Sequence, residues 1–197
     1  MSRPNHNHNH EQVTGLILAG GAGRRVGGRD KGLVEYRGHP LIYHANTRLR
    51  DQVASMLICC NRNTEDYQTY TPNLVHDKRS NYQGPLAGFE AAINHVHTPF
   101  LLVVPCDCPS LPLDLAVRLI SPLVQNKNLD MCYAHDGQRP QFLFVALRTE
   151  CLVSLPAFLD AGHRAVSHWM EQHRLHEVDF SDCQENFLNV NKLPDSP

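Results

Sequence analysis

The sequence has almost no excess of charge of either sign, because 20 acidic side chains oppose 18 lysines and arginines and leave a formal net charge of −2. A protein that binds nucleic acid regardless of sequence needs a cationic surface, so this balance argues against that class. No apolar run approaches the roughly 18 residues that a membrane span requires. The polar stretch from Met1 to Gln12 lacks the apolar core of a signal peptide. We therefore expect a cytoplasmic protein that binds neither nucleic acid nor membranes.

The seven cysteines lack the spacing of a zinc site. No two of them are separated by two residues, as in Cys-x-x-Cys sites. Cys59 and Cys60 are adjacent, and Cys106 and Cys108 flank an aspartate. Neighbouring side chains on a strand point to opposite faces, so adjacent cysteines cannot easily enter one tetrahedral site. We interpret the cysteines as free thiols that pack as small hydrophobic residues.

The length of 197 residues fits one domain. Residues 1–12 carry His6, His8 and His10 alternating with asparagine, and we expect them to form a disordered head. We expect residues 13–197 to form one domain. A chain of this size buries about 70% of its unfolded surface, which is enough for a core without disulfides or metals.

Short apolar runs alternate with helical patterns along the domain. The runs predict strands at 13–18, 55–60, 74–75, 100–104, 131–134, 142–146 and 176–178, and the patterns predict helices at 41–53, 87–96, 113–123, 150–159 and 165–173. Alternation of this kind is typical of βαβ units around a mostly parallel sheet. The predicted fold is a single three-layer α/β sandwich, Rossmann-like in architecture. Ligands of such folds bind at the carboxyl ends of the strands, so the residues that follow each run matter most.

A glycine-rich loop follows the first strand. Residues 18–31 contain five glycines, whose backbone can approach an anion closely, together with Arg24, Arg25, Arg29 and Lys31. Bare amides and cationic side chains are what a polyphosphate requires. The spacing differs from the dinucleotide fingerprint, because Gly27 comes one residue too late, and no Gly-Lys-Ser/Thr ends the loop as in a Walker A sequence. The residues alone indicate a phosphate-binding loop.

Three other segments are expected at the same edge of the sheet. Asp107 comes just after the buried strand 100–104, in a turn flanked by prolines, where a carboxylate can hold Mg²⁺ against phosphate oxygens. Asp77 follows the short run Leu74–Val75. Gly84 to Gly88 opens a helix whose N-terminus offers amide groups and the positive end of a dipole.

These motifs together resemble the signature of the molybdenum cofactor guanylyltransferases, within the wider group of nucleotidyltransferases. The opening loop reads Leu-Ala-Gly-Gly-x-Gly-x-Arg-x-Gly-Gly-x-Asp-Lys at residues 18–31. The resemblance continues through Asn61-Arg62, Asp77, Gly84-Pro85-Leu86-Ala87-Gly88, Cys106-Asp107-x-Pro109, Gly162-x-Arg164, Val178-Asp179-Phe180 and Asn189-Val190-Asn191. It therefore runs in order from about Val13 to Leu193.

The resemblance implies transfer of GMP from GTP to Mo-molybdopterin, with release of pyrophosphate. It implies that Leu18, Ala19 and Gly20 contact guanine, that Gly21, Arg25 and Lys31 hold the triphosphate, that Asp77 helps to hold the nucleoside, and that Asp107 binds Mg²⁺. Arg25, Lys31 and Asp107 are thus the expected catalytic residues. Gly84, Gly88, Arg164, Asn189 and Asn191 are the expected molybdopterin-side residues. Either Cys59 or Asn61 takes the nucleotide contact that the family places after the second strand.

The family's other properties are expectations for this chain too. We expect a monomer that contacts the proteins of molybdoenzyme maturation transiently.

The alternatives to a guanylyltransferase are a molybdopterin cytidylyltransferase, another NTP-dependent nucleotidyltransferase on this scaffold, or a non-catalytic module that delivers the cofactor. Gly20 favours GTP, because the resemblance associates Leu-Ala-Gly-Gly with guanine. Asp107 and Lys31, which a silent module would be expected to lose, are both present.

Overall fold

A computed structural model describes residues 12–21, 29–79 and 83–190. Within these ranges the strands are β1 (Val13–Leu18), β2 (Glu35–Tyr36), β3 (His39–Pro40), β4 (Ser55–Cys59), β5 (Leu74–Val75), β6 (Phe100–Pro105), β7 (Met131–His135), β8 (Pro140–Arg148) and β9 (Leu175–Asp179). The α-helices are α1 (Leu41–Leu49), α2 (Thr64–Gln68), α3 (Pro85–Ala92), α4 (Leu115–Gln125), α5 (Leu155–Asp160) and α6 (Val166–Met170). The loop residues 22–28, including Arg25, lie outside the described ranges, as do residues 1–11 of the predicted head (1–12) and Asn191.

Seven strands form the main sheet, in the order β5-β4-β1-β6-β8-β7-β9. The pairs β5–β4, β4–β1, β1–β6 and β7–β9 are parallel, whereas β8 runs antiparallel to both of its neighbours. The sheet is therefore mixed but mostly parallel, and the predicted α/β fold class is confirmed. None of the helices in the described ranges has the length and apolar character of a membrane span.

Two hydrophobic clusters, one on each face of the sheet, account for the three layers. Ile17 of β1 belongs to the cluster that packs against α1 and α4, and the adjacent Leu16 belongs to the cluster that packs against α3, α5 and α6. Both side chains are fully buried. Because both faces are covered, the central strands are nearly continuous apolar runs, as the sequence shows.

Several helix boundaries differ from the prediction for local reasons. Helix α1 ends at Leu49 and is followed by a 3-10 turn at Arg50–Gln52. Helix α3 begins at Pro85, ahead of the predicted start at 87, because Pro85 fits the first turn of a helix and Gly84 before it has a φ of 86°. The predicted helix 150–159 begins as a 3-10 helix, Thr149–Ser154, and becomes α-helical only at Leu155.

The small hairpin of β2 and β3 was not predicted. Arg37 and Gly38 form its two-residue turn, with φ angles of 51° and 81°. Positive φ at both central positions gives the twist that short antiparallel hairpins need. Each strand is only two residues long, too short for a periodic sequence pattern.

The topology places the site at one edge of the sheet. From β1 the chain crosses to β4 on one side, and it later returns to β6 on the other side. Ligands bind at such a point of reversal, outside the carboxyl ends of the strands. The carboxyl ends of β1, β4, β5 and β6 are Leu18, Cys59, Val75 and Pro105.

Candidate active site

Backbone hydrogen bonds hold the strand ends of this edge together. The Ala19 amide donates to the Cys59 carbonyl at 2.8 Å, and the Cys106 amide donates to the Leu18 carbonyl at 3.1 Å. The parallel pairing thus continues one residue beyond β1 on the β4 side and one residue beyond β6 on the other side. As a result, the start of the glycine-rich loop lies between the segment that follows β4 and the segment that follows β6.

Asn61 and Asp77 form the part of the edge next to β4. The Asn61 Nδ2 donates to an Asp77 carboxylate oxygen at 2.7 Å and to the Gly20 carbonyl at 3.0 Å. The Asp77 amide donates in return to Asn61 Oδ1 at 2.9 Å. One exposed amide side chain therefore connects the loops that follow β1, β4 and β5.

Cys59 and Asn61 differ in what they can offer a ligand. The Cys59 side chain is buried, its Sγ lies 3.3 Å from an Asp77 carboxylate oxygen, and its carbonyl accepts the Ala19 amide. Burial, followed by the neighbouring Asp77 charge, raises the pKa of the Cys59 thiol. Asn61 is exposed at the same edge. Of the two residues that the sequence left open, Asn61 is thus the one whose side chain is exposed.

Two glycines make the close packing of this region possible. A Cβ on Gly20 would lie 2.9 Å from Asn61 Nδ2. A Cβ on Gly88, in α3, would lie 2.7 Å from Leu18 Cδ2 and 3.1 Å from Cys59 Sγ. Real Cβ atoms avoid contacts this short. Gly88 thus lets α3 pack directly against the ends of β1 and β4, while the predicted Gly84 is exposed just before the helix.

Lys31 and Asp107 form an ion pair beyond the carboxyl ends of the neighbouring strands β1 and β6. Lys31 lies in a 3-10 turn, Lys31–Leu33, and its Nζ contacts Asp107 Oδ2. The two side chains are mostly covered, with 21% and 12% of their surfaces exposed. The pair places one cation and one carboxylate at the reversal point of the sheet.

The turn that carries Asp107 is tied to the C-terminal part of the described chain. The Val190 amide donates to the Asp107 carbonyl at 2.9 Å, and the Cys108 thiol donates to Asn189 Oδ1 at 2.7 Å. Burial is the main cause that raises the pKa of the Cys108 thiol, and the Asp107 charge adds to it. The structure therefore brings Asn189 close to the predicted metal ligand. Cys108 was not among the predicted site residues, since a lone cysteine beside an aspartate carries no pattern.

Arg164, predicted on the molybdopterin side, lies near the start of α3. Its Nε donates to Gln83 Oε1 at 2.6 Å, and its Nη1 donates to the carbonyls of Leu159 and His163 at 2.8 and 2.6 Å. Gln83 immediately precedes Gly84, so Arg164 and Gly84 belong to one region of the surface. Asn189 lies instead beside Asp107.

The donor set for a metal at this edge is small. Among residues 12–21, 29–79 and 83–190, no three His, Cys, Asp or Glu side chains come together as a metal cage. Mg²⁺ is commonly held by one or two carboxylates together with substrate phosphates and water, so a single aspartate is compatible with it.

Comparison with known proteins identifies the family of this chain. The MobA-like NTP transferase domain matches residues 15–178 of the chain. The molybdenum cofactor guanylyltransferase of Shewanella sediminis is 45% identical over 180 residues, which cover 91% of both chains. The corresponding protein of Shewanella piezotolerans is 42% identical over 179 residues, covering 91% of this chain and 87% of the relative.

A solved structure shares the fold. The crystal structure of molybdopterin-guanine dinucleotide biosynthesis protein A from Archaeoglobus fulgidus matches with a TM-score of 0.74 and 19% identity, covering 92% of this chain and 93% of that chain. At this identity the match concerns the fold alone. The domain match and the extent of the sequence identity show the family: the chain belongs to the MobA-like NTP transferases, in the family of the molybdenum cofactor guanylyltransferases.

Proposed function

We propose that the protein transfers GMP from GTP to the terminal phosphate of Mo-molybdopterin, giving the guanine dinucleotide form of the cofactor and pyrophosphate. The observation that carries this proposal is the Lys31–Asp107 pair, which lies at the reversal point of the sheet in a chain of this family. A cation and a carboxylate at that point are what a metal-bound triphosphate requires.

The nucleotide is proposed to lie along the carboxyl ends of β1, β4 and β5. Leu18, Ala19 and Gly20 would face the guanine, and Asn61 and Asp77 would contact the nucleoside. The exposed Asn61 amide and its hydrogen bonds to Gly20 and Asp77 support this arrangement. Gly21, Arg25 and Lys31 would hold the triphosphate. Gly21 is exposed just beyond Gly20, and Lys31 lies toward β6.

The proposed reaction needs no protein nucleophile. An oxygen of the molybdopterin phosphate attacks the α-phosphorus of GTP, a new P–O bond forms, and the bond from that phosphorus to the oxygen bridging to the β-phosphate breaks. Pyrophosphate leaves with the electron pair of the broken bond. The protein contributes by aligning two anions and offsetting their charge. Lys31 and Arg25 are suited to stabilise the charge that builds on the leaving group.

Asp107 is the proposed ligand of Mg²⁺, which when bound neutralises phosphate charge. Asp107 would hold the ion with one carboxylate while the triphosphate and water supply the other ligands. The covered position of its side chain supports this role, because electrostatic interactions are stronger away from bulk water. Lys31 compensates the Asp107 charge in the protein itself.

The molybdopterin side is proposed to include Gly84, Gly88, Arg164, Asn189 and Asn191. Two observations support part of this set: Arg164 contacts the residue before Gly84, and Asn189 contacts the residue after Asp107. Gly88 would contribute by its packing against Leu18, which fixes where α3 begins relative to β1.

Nucleotide binding gives the most direct test of the proposed substrate. We expect calorimetry with Mg²⁺ to show binding of GTP and much weaker binding of CTP, ATP and UTP. A preference for CTP would assign the chain to the cytidylyltransferases instead. If GTP binds selectively, conversion of GTP and Mo-molybdopterin to the dinucleotide cofactor and pyrophosphate is the activity to assay.

Substitution of Asp107 tests the catalytic assignment. We expect Asp107→Ala to abolish turnover, because the variant loses the carboxylate that is proposed to hold Mg²⁺ against the phosphates. Asp51→Ala is the matched control, since Asp51 is exposed just before β4, at the end of the sheet opposite to Asp107, and pairs with its neighbour Arg50. Wild-type turnover by Asp107→Ala would refute the metal role.

A further inference from the structure

The aspartate that precedes Lys31 is buried and has its own set of partners. The side chain of Asp30 is only 4% exposed. Its Oδ1 accepts the Tyr67 hydroxyl at 2.5 Å and the Gly32 amide at 3.3 Å. Its Oδ2 accepts the Asn63 amide group at 3.1 Å, and Arg62 Nε lies 3.6 Å away. A buried carboxylate is costly unless it is satisfied in this way, so these partners fix its position.

These contacts anchor the turn that carries Lys31. Asp30 caps the 3-10 turn Lys31–Leu33 through the Gly32 amide, and Tyr67, a fully buried residue of α2, holds the cap from the other side. Burial and the hydrogen bond to Asp30 raise the pKa of Tyr67, so its hydroxyl remains a donor. Charge-assisted hydrogen bonds of this type are about twice as strong as neutral ones.

Gly32 shows how tightly the anchor is fitted. A Cβ at Gly32 would collide with the Tyr67 hydroxyl and would lie 3.2 Å from two ring carbons of the same tyrosine. Only glycine at this position lets the Tyr67 hydroxyl reach Asp30. The Asp-Lys-Gly sequence is thus explained residue by residue: Asp30 is held, Lys31 contacts Asp107, and Gly32 makes room for the group that holds Asp30.

We infer that Asp30 is a positioning residue, which acts with Tyr67 to hold Lys31 at Asp107 and at the proposed triphosphate site. This inference rests on the proposed role of Lys31. Both carboxylate oxygens of Asp30 have partners within the protein. Its effect on the reaction is therefore expected to be transmitted through the backbone of the turn to Lys31.

A double-mutant cycle with Lys31 tests this inference. We expect Tyr67→Phe, which removes only the hydroxyl, to lower kcat/KM for GTP about tenfold, the scale of one lost hydrogen bond to a charged group. In a Lys31→Ala background, the same substitution should cost less than twofold, because the residue it positions is gone. Tyr70→Phe is the matched control: it removes a hydroxyl just beyond α2 that does not contact Asp30, and kcat/KM should stay unchanged.

The possible outcomes separate the inference from the function it rests on. If Lys31→Ala has no effect on kcat/KM, the proposed role of Lys31 fails. If Lys31→Ala is impaired but Tyr67→Phe is as active as the wild type, or if the two losses multiply, the positioning role fails. Asn63→Gly provides a second variant should Tyr67→Phe not fold, because it removes the amide donor while glycine keeps the φ of 52° found at Asn63. It should follow the same pattern, with a smaller loss.

Discussion

Asn61 and Asp77 are joined by two hydrogen bonds that run in opposite directions, from the Asn61 side chain to the Asp77 carboxylate and from the Asp77 backbone to the Asn61 side chain. Each residue thereby fixes the other at the edge of the sheet. An asparagine can do this because its amide both donates and accepts, whereas an aspartate can only accept.

We expect Asn61→Ala to raise the KM for GTP about tenfold and to change kcat less, because the Asp77 carboxylate loses its fixed orientation. A hydrogen bond to a charged group contributes about 1.5–3 kcal/mol, and 1.4 kcal/mol corresponds to a tenfold change. Steady-state kinetics with varied GTP measures this change. Asn128→Ala is the control, because Asn128 is exposed and lies just before β7, at the end of the sheet opposite to Asn61. An unchanged KM in Asn61→Ala would exclude Asn61 from the nucleotide site.

Gly20→Ala should weaken the discrimination between GTP and CTP. The new methyl group would lie 2.9 Å from Asn61 Nδ2 and displace the amide that contacts the Gly20 carbonyl. We expect the ratio of kcat/KM for the two nucleotides to fall. The loss of discrimination should be smaller in an Asn61→Ala background, where the methyl group has space. An equal loss of discrimination in the wild-type and Asn61→Ala backgrounds would show that Gly20 acts without Asn61.

Gly88→Ala should destabilise the fold even though alanine is the better helix former. Alanine gains about 1 kcal/mol of helix propensity over glycine, but overpacking of a dense core costs about 1–3 kcal/mol. The contacts with Leu18 Cδ2 and Cys59 Sγ can relax only if these side chains shift or α3 moves away from the sheet. For a protein of this size each kcal/mol lowers Tm by about 2–4 °C, which calorimetry resolves. A higher Tm would mean that propensity outweighs packing here.

The thiols should react in two classes. Six of the seven cysteines are buried, and Cys183 is partly exposed. Burial raises the pKa of Cys106 and Cys132, among others, so few thiolates are present at neutral pH. We expect a disulfide reagent to modify one thiol per folded chain and seven after denaturation. Cys183→Ser should remove the reaction of the folded protein, and a fast reaction in that variant would contradict the packing.

The free energy of unfolding should fall as the pH drops below about 6.5. Burial lowers the pKa of His173, and Asp130 only partly opposes this. In the unfolded chain this histidine has a pKa of about 6.5, so between that value and the lower folded pKa only the unfolded state takes up the proton. Stability from neutral His173 is therefore full above 6.5. Chemical denaturation between pH 7.5 and 5.5 should show that the free energy of unfolding falls more steeply for the wild type than for His173→Gln. The same dependence on pH in both proteins would refute this prediction.

The main sheet could be predicted from the sequence because its central strands are buried on both faces. Leu16 and Ile17 are adjacent yet enter opposite clusters, so β1 needs an unbroken apolar run. The β2–β3 hairpin carried no such signal, since two-residue strands have no period. Its two-residue turn is defined by the positive φ angles of Arg37 and Gly38.

The positions of Asp77 and Asp107 followed from the rule that ligands bind at the carboxyl ends of strands, and the structure places both residues there. The anchoring of Asp30 by Tyr67 did not follow, because the two residues are 37 positions apart and neither belongs to a local pattern. The difference in burial between Cys59 and Asn61, on which the proposed contact of Asn61 rests, likewise could not be predicted, because only the packed fold defines it.

The hydrogen bond from Val190 to Asp107 also sets an order of events during synthesis. A chain still growing on the ribosome contains Lys31, Asn61, Asp77 and Asp107 long before it contains Val190. The turn that carries Asp107 is therefore completed by a segment that is synthesised after every strand of the main sheet. Until Val190 has been synthesised, the turn that carries Asp107 lacks this backbone hydrogen bond, so the proposed nucleotide site is complete only after translation has passed the end of β9.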